Sequence, residues 1–192
     1  KVAAHRNEAS LLESTMYQLD DYENITTDSE RFDIALNLVI TWINRILFLK
    51  LLESQLISYH GSKNSDQYRF LSPQIVKDYD ELNELFFKVL ALPVADRPIQ
   101  VQEKFKNIPY LNSSLFELTP NEGKYFRITG LKLGLMPLFS HTVLKDLNGH
   151  NIQHELDTLE YLFRFLDAYD FGSEQSDEIT KSENKTLINA SV

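Results

Sequence analysis

Hydrophobic and polar positions alternate with a helical period through most of this chain. Ser10 to Tyr22 places Leu11, Leu12, Thr15, Met16 and Leu19 at helical spacing, which predicts a short amphipathic helix ending near Asp20. Asn24 to Ser29 is a polar break, and Asp28 can cap the next element by accepting a backbone N–H of its first turn. That element runs from Arg31 to roughly His60 and is apolar on nearly every face, from Ile34 through Trp42, Ile46 and Leu49 to Ile57. A helix that is hydrophobic all round must be covered on all sides, so it is either the central helix of the chain or one shared with a further domain.

Beyond it, Gly61 to Gln67 reads as a polar turn, and Pro73 fits the first turn of a short helix after Ser72. Asp78 to Leu90 carries Leu82, Leu85, Phe86, Val89 and Leu90 on one stripe, an amphipathic helix. Pro93 and Pro98 punctuate the chain, and Gln100 to Lys106 allows a helical turn or two before Pro109. From Ile108 to Leu147 prolines and glycines break the pattern, and the alternation of Tyr125, Arg127 and Thr129 suggests short strands. Leu156 to Tyr169 returns to helix. After Gly172 the polar run cannot offset its ordering entropy and reads as a linker that re-enters structure at Leu187 and Ile188. The expected fold is therefore mainly α: a helical bundle around one long buried helix, with a small irregular β element near residues 108–147. Residues 1–172 form one helical domain and residues 173–192 a polar linker or tail.

Composition narrows the picture. With 192 residues, 43% hydrophobic content, twelve Phe, nine Tyr and one Trp, the chain can bury one sizeable core. Zero Cys excludes a disulfide framework, thiolate metal sites and a cysteine nucleophile, and fits the cytoplasm. Lys1 to Ser10 holds no signal-like apolar run and no initiator Met, which suggests an excised fragment. The apolar stretch Ile34 to Ile57 is interrupted by Asn37, Asn44, Arg45, Lys50 and Glu53, short of the roughly 18 uninterrupted apolar residues of a membrane span. No membrane partner is expected.

The net charge of −9 argues against uniform coating of a polyanion, but the charge is uneven. Residues 1–96 carry nine Lys/Arg against fifteen Asp/Glu, residues 97–145 seven against three, and residues 146–192 three against ten. The basic middle segment contains Arg97, Lys104, Lys106, Lys124, Arg127, Lys132 and Lys145, interleaved with Phe105, Tyr110, Phe116, Tyr125 and Phe126. Gathered on one face, these cations would bind a DNA backbone and release counterions; spread out, they are a solvated surface.

Catalytic signatures are sparse. His150 and His154 stand four apart, with Glu155, Asp157 and His141 nearby, and would share a metal ion if that stretch were helical. Asn148-Gly149 reads as a turn instead, and HExxH spacing is missing. Gly130 to Gly134 (GLKLG) lacks the third glycine of a nucleotide fingerprint. Acid pairs such as Asp20-Asp21 and Asp78-Asp80-Glu81 more often decorate solvated helix ends than perform acid–base work. Pro109 to Glu117, PYLNSSLFE, reads as a loop with Leu111, Leu115 and Phe116 buried. No catalytic, cofactor-binding or metal-ligating residue is assigned.

Five phrases together resemble one family: SLLESTMYQLD at Ser10–Asp20, ITWINRILFLKLLESQLISYH at Ile40–His60, DYDELNELFFKVLA at Asp78–Ala91, VQEKFKNIPYLNSSLFE at Val101–Glu117, and TLEYLFRFLDAYDF at Thr158–Phe171. They look like the type IIG restriction–modification enzymes, single chains that fuse an endonuclease to an adenine-N6 DNA methyltransferase. The resemblance covers nearly the whole chain in order, though not through the family's catalytic signatures. It implies a helical connector between the N-terminal nuclease and the methyltransferase. Those neighbouring domains and DNA are the implied partners. S-adenosylmethionine, and magnesium for the nuclease, would be cofactors of the parent enzyme only. The cofactor loop and the Asn/Asp-Pro-Pro-aromatic tetrapeptide do not occur in this chain. Asn112–Phe116 reads NSSLF where relatives often read NGGLF, which weakens any cofactor contact there. A free-standing helical protein-interaction module is the alternative, and a metal-dependent enzyme using His150 and His154 a third reading.

Overall fold

A computed structural model describes residues 10–60, 65–129, 135–136, 144–146, 148–152, 154–171 and 186–187. The protein is mainly α. Helix α1, Leu11–Gln18, starts where the Ser10 hydroxyl accepts the Glu13 N–H at 3.2 Å, and it tightens into a 3-10 turn at Leu19–Asp21. Its Met16 and Leu19 pack with Ile25 and Ala35 in a small core that also takes in Tyr22, Tyr125 and Phe126.

Helix α2, Asp28–His60, has 33 residues and is roughly 50 Å long. Its cap is not Asp28, as the sequence suggests, but Thr27, whose hydroxyl accepts the Glu30 N–H at 3.2 Å. Asp28 lies inside the first turn and pairs with Arg31 at 2.6 Å, where its charge also meets the positive end of the helix dipole. Leu38, Val39, Trp42, Ile46 and Leu49 face the main core.

A four-residue helix, α3 (Ser65–Tyr68), follows. The helix expected after Ser72 is only a turn, in which Ser72 O accepts the N–H of Ile75 and of Val76. Helix α4, Tyr79–Glu84, is capped by the Asp78 carboxylate and widens without a break into a π-helix at Leu85–Leu90. Leu85, Phe86, Val89 and Leu90 are all fully buried along this segment. Helix α5, Ile99–Lys104, comes after a 3-10 turn at Val94–Asp96.

Among its described residues, the region expected to hold a small irregular β element carries the two-residue strand Leu135–Met136 and a bridge from Lys145 to Asn151, with helix and turn before them. Ser114–Phe116 is a 3-10 turn and α6 is Pro120–Lys124. Thr119 and Glu122 close a capping box around Pro120 in the first turn of α6, so that proline starts a helix instead of breaking one. Tyr125, Arg127 and Thr129 pair with no strand; Tyr125 O accepts the Tyr22 hydroxyl at 2.9 Å and Ile128 is buried. Strand structure among the described residues comes in two-residue pieces. Strand β1 (Leu135–Met136) pairs antiparallel with β2 (Leu156–Asp157), in register Leu135 with Asp157. Helix α7, Thr158–Asp167, is capped by Asp157 and buries Leu159, Phe163 and Leu166. Strand β3 (Tyr169–Asp170) then pairs parallel with β4 (Thr186–Leu187), where the chain re-enters regular structure after residues outside the described set.

Candidate interaction surface on the long helix

Between Asn37 and Gln55, α2 reverses the usual distribution of a surface helix. Its charged residues in that span, Arg45, Lys50 and Glu53, all point inward and are 1%, 6% and 1% exposed. Its outward residues are apolar or neutral: Ile40 is 49%, Ile43 39%, Leu47 37% and Phe48 36% exposed, and Asn37 and Asn44 are also exposed. The described residues of this chain therefore leave that face of the helix uncovered.

The inward charges are saturated by specific partners. Arg45 donates from Nε to Leu115 O at 2.7 Å, from Nη2 to Glu117 O at 2.8 Å and to Glu122 Oε2 at 2.9 Å, and from Nη1 to Glu122 Oε1. Its guanidinium lies 4.9 Å from the centre of the Phe87 ring. Burial raises the Glu122 carboxyl's pKa, but the Arg45 and Thr119 hydrogen bonds and the Arg45 charge more than offset this, holding it below the usual carboxylate range. One turn further, Lys50 donates to Glu53 at 2.9 Å and to Asp167 of α7, while Glu53 Oε2 accepts the N–H groups of Phe70 and Leu71 at 2.8 and 2.7 Å. Removing charges from water is costly unless every lone pair and proton finds a partner. Each charged nitrogen and carboxylate oxygen named here has at least one such partner, so these groups are structural.

The outward face has a defined spacing. Ile40, Ile43 and Leu47 follow one another at intervals of three and four, and half-buried Leu36 continues the series N-terminally. This is the a/d spacing that receives another helix. Asn37 is held in place by the Asn121 side chain of α6 at 3.0 Å, so the edge of the face is neutral.

The seven basic residues singled out from the sequence do not form one field. Arg97 is 3% exposed and donates to Leu92 O at 3.2 Å and Ile108 O at 3.0 Å. It staples a loop from inside and cannot reach a phosphate, which removes it from the DNA-backbone candidates. Lys104 pairs with Glu81 at 2.7 Å. Arg127 lies 5.3 Å from the centre of the Phe87 ring and lines an open cleft of about 480 Å³ in which four carboxylates, Asp78, Asp80, Glu81 and Glu84, outnumber the cations Lys88 and Arg127. Those carboxylates oppose a polyanion. Lys106 is exposed, Lys124 is exposed beside the Tyr125 ring, and exposed Lys145 bonds Asn151. Lys132, His141 and the Gly130–Gly134 segment lie outside the described residues.

His150 and His154 do not sit on a helical face, because residues 148–152 are turn, bend and bridge and residues 154–155 lie outside any helix: Asp146 gathers the Asn148 and His150 N–H groups in a tight loop. No three His, Asp or Glu side chains gather for a metal ion among the described residues. In the NSSLF segment Ser113 caps the following turn, Phe116 is fully buried against Phe48 and Phe86, and Leu111 and Leu115 are partly buried. That segment fastens the core. By length and hydropathy alone α2 could cross a membrane, and 44% of its most apolar window is buried inside the fold.

One family model, described as a domain of unknown function (DUF7814), matches residues 1–188. No curated protein and no solved structure matches the chain.

Proposed function

The chain belongs to the DUF7814 family, and we propose that it is the non-catalytic helical connector of a cytoplasmic restriction–modification enzyme, placed between nuclease and adenine-N6 methyltransferase. The observation that carries this reading is the outward face of α2, where apolar side chains meet solvent while charges are spent inside. Such a face loses free energy until another body covers it. The five phrases that resemble type IIG enzymes fall on α1, α2, the α4–π helix, α5 with its following turn, and α7, so the likeness lies in core-forming elements, as a shared structural region requires.

In this role the chain supplies geometry. S-adenosylmethionine, magnesium and the flipped adenine belong to the neighbouring domains. Lys106, Lys124 and Lys145 remain as exposed cations that can lie along DNA in the parent enzyme. Replacing all three with Ala should make the salt dependence of DNA binding shallower, by about 0.9 in logarithmic slope for each phosphate no longer neutralised; an unchanged slope removes DNA from the reading.

The gene's own flanking codons test the connector directly. A glycine-bearing cofactor loop and an Asn/Asp-Pro-Pro-aromatic tetrapeptide downstream of Val192 are expected. A reading frame that stops there with no catalytic domain upstream refutes the connector and leaves the free-standing interaction module, whose separate partner would use the same apolar face.

A further inference from the structure

Four features of α2 identify what its outward face receives. The spacing of Ile40, Ile43 and Leu47 matches the seam of helix-on-helix packing, in which side chains three and four apart interdigitate with a neighbouring helix. The α2 residues that border the seam, Asn37 and Asn44, are uncharged, and no charged residue of α2 is exposed between Asn37 and Gln55, so the occupant needs an apolar stripe and no complementary charge. The uncovered area is small: a third to a half of four large side chains is roughly 300 Å². A stable complex of free partners buries about 800 Å² on each side. The apolar part of the seam is thus too small to carry a stable complex of free partners by itself, and a covalent tether supplies the effective concentration it lacks.

We propose that the Ile40–Ile43–Leu47 seam is the docking site of an apolar-striped helix carried by a domain on the same polypeptide. The proposal rests on the connector reading and adds to it the residues of the joint and the kind of element that fills it. A second copy of this chain is a poor occupant by comparison: it would bring another −9 of charge to a seam too small to hold two free proteins together.

The test compares Ile40→Lys/Leu47→Lys in the 192-residue chain and in the complete gene product, with Ile40→Leu/Leu47→Ile as control. Lysine keeps a helical backbone and an aliphatic stem over the half-buried base of each position while placing charge on the seam. In the 192-residue chain the lysine pair should shift the thermal midpoint by less than about 3 °C, as exposed substitutions do, and light scattering should show a monomer with and without it. In the gene product the same pair should speed protease cleavage at the domain junction by roughly tenfold to a hundredfold, the factor set by losing burial of a large aliphatic side chain, while the control behaves like the parent. A dimeric 192-residue chain that the lysine pair dissociates would hand the seam to a second copy. Clear destabilisation of the 192-residue chain would mean that its own residues cover the seam. Either result overturns the proposal, as does an unchanged cleavage rate in a product that does contain further domains, which would leave the connector reading standing. A gene product without further domains overturns both, and that is visible before any variant is made.

Discussion

Arg45→Met is the substitution that most directly tests whether the inward charges hold the fold together. Methionine can occupy much of the space of the arginine stem beside Phe86 and Phe87, so the change removes the guanidinium more than it opens a cavity. Hydrogen bonds to both Glu122 oxygens and to the Leu115 and Glu117 carbonyls disappear together. Glu122, whose side chain is 7% exposed, keeps only the Thr119 N–H and hydroxyl as partners. Breaking one half of a buried pair costs about 3–5 kcal/mol. For a chain of this length, each kcal/mol moves the midpoint by about 2–4 °C, so the variant should melt about 6–20 °C lower. Urea unfolding followed by Trp42 fluorescence reads the same loss at fixed temperature. Arg45→Met/Glu122→Met should recover part of it, with a coupling of about 2 kcal/mol or more between the sites, because the second change removes the stranded carboxylate. A cost under about 1 kcal/mol for the single variant, the level of a surface ion pair, would refute the claim that Arg45 anchors residues 115–122.

Acid should weaken the same cluster. The folded-state pKa of Glu122 is depressed, so its contribution is complete above the ordinary glutamate value of about 4.3 and fades as pH falls through the lower folded value; Glu122→Gln should flatten the stability profile below about pH 4, and an unaltered profile would contradict the assignment. Glu53→Ala should cost about 3–5 kcal/mol, since it strands two buried backbone donors and leaves buried Lys50 with Asp167 as its remaining carboxylate. In hydrogen exchange the Phe70 and Leu71 amides should lose protection before those of α7, and equal loss everywhere would show that Glu53 does not hold that segment specifically.

The elements legible in the sequence are those whose apolar period is strong and local. α1, the Asp78–Leu90 helix and α7 follow from the spacing of one apolar stripe, and α2 from a long run that is apolar on nearly every face. The positions that read differently have particular causes. Pro120 reads as a breaker in isolation, although Thr119-Pro-Asn-Glu122 spells a capping box in which proline suits the first turn. Tyr125, Arg127 and Thr129 alternate without a partner strand, and alternation alone cannot supply one. The π-helix over LFFKVL has no local signature in the sequence. Arg97 resembles a surface cation because its stapling carbonyls, Leu92 O and Ile108 O, are set by tertiary structure.

The inward charges on α2 are legible in principle. Trp42, Arg45, Ile46, Leu49, Lys50 and Glu53 follow the three-and-four spacing of a single helical face, so an apolar core on that face requires the charges to be buried with it and therefore paired. Treating them as interruptions of an apolar run hides what they accomplish. Apolar packing is non-directional and would tolerate sliding of α2 against its neighbours, whereas Arg45 grips residues 70, 72 and 77 positions away, Glu53 residues 17 and 18 away, and Lys50 one 117 away. These directional bonds fix three separate segments to one side of the helix at defined heights. With register fixed from within, the outer side needs no charge of its own, and its Ile40–Leu47 seam stands at a set position relative to everything the inner side holds. The inner face of α2 is thus locked by electrostatics while its outer face can be packed by shape alone.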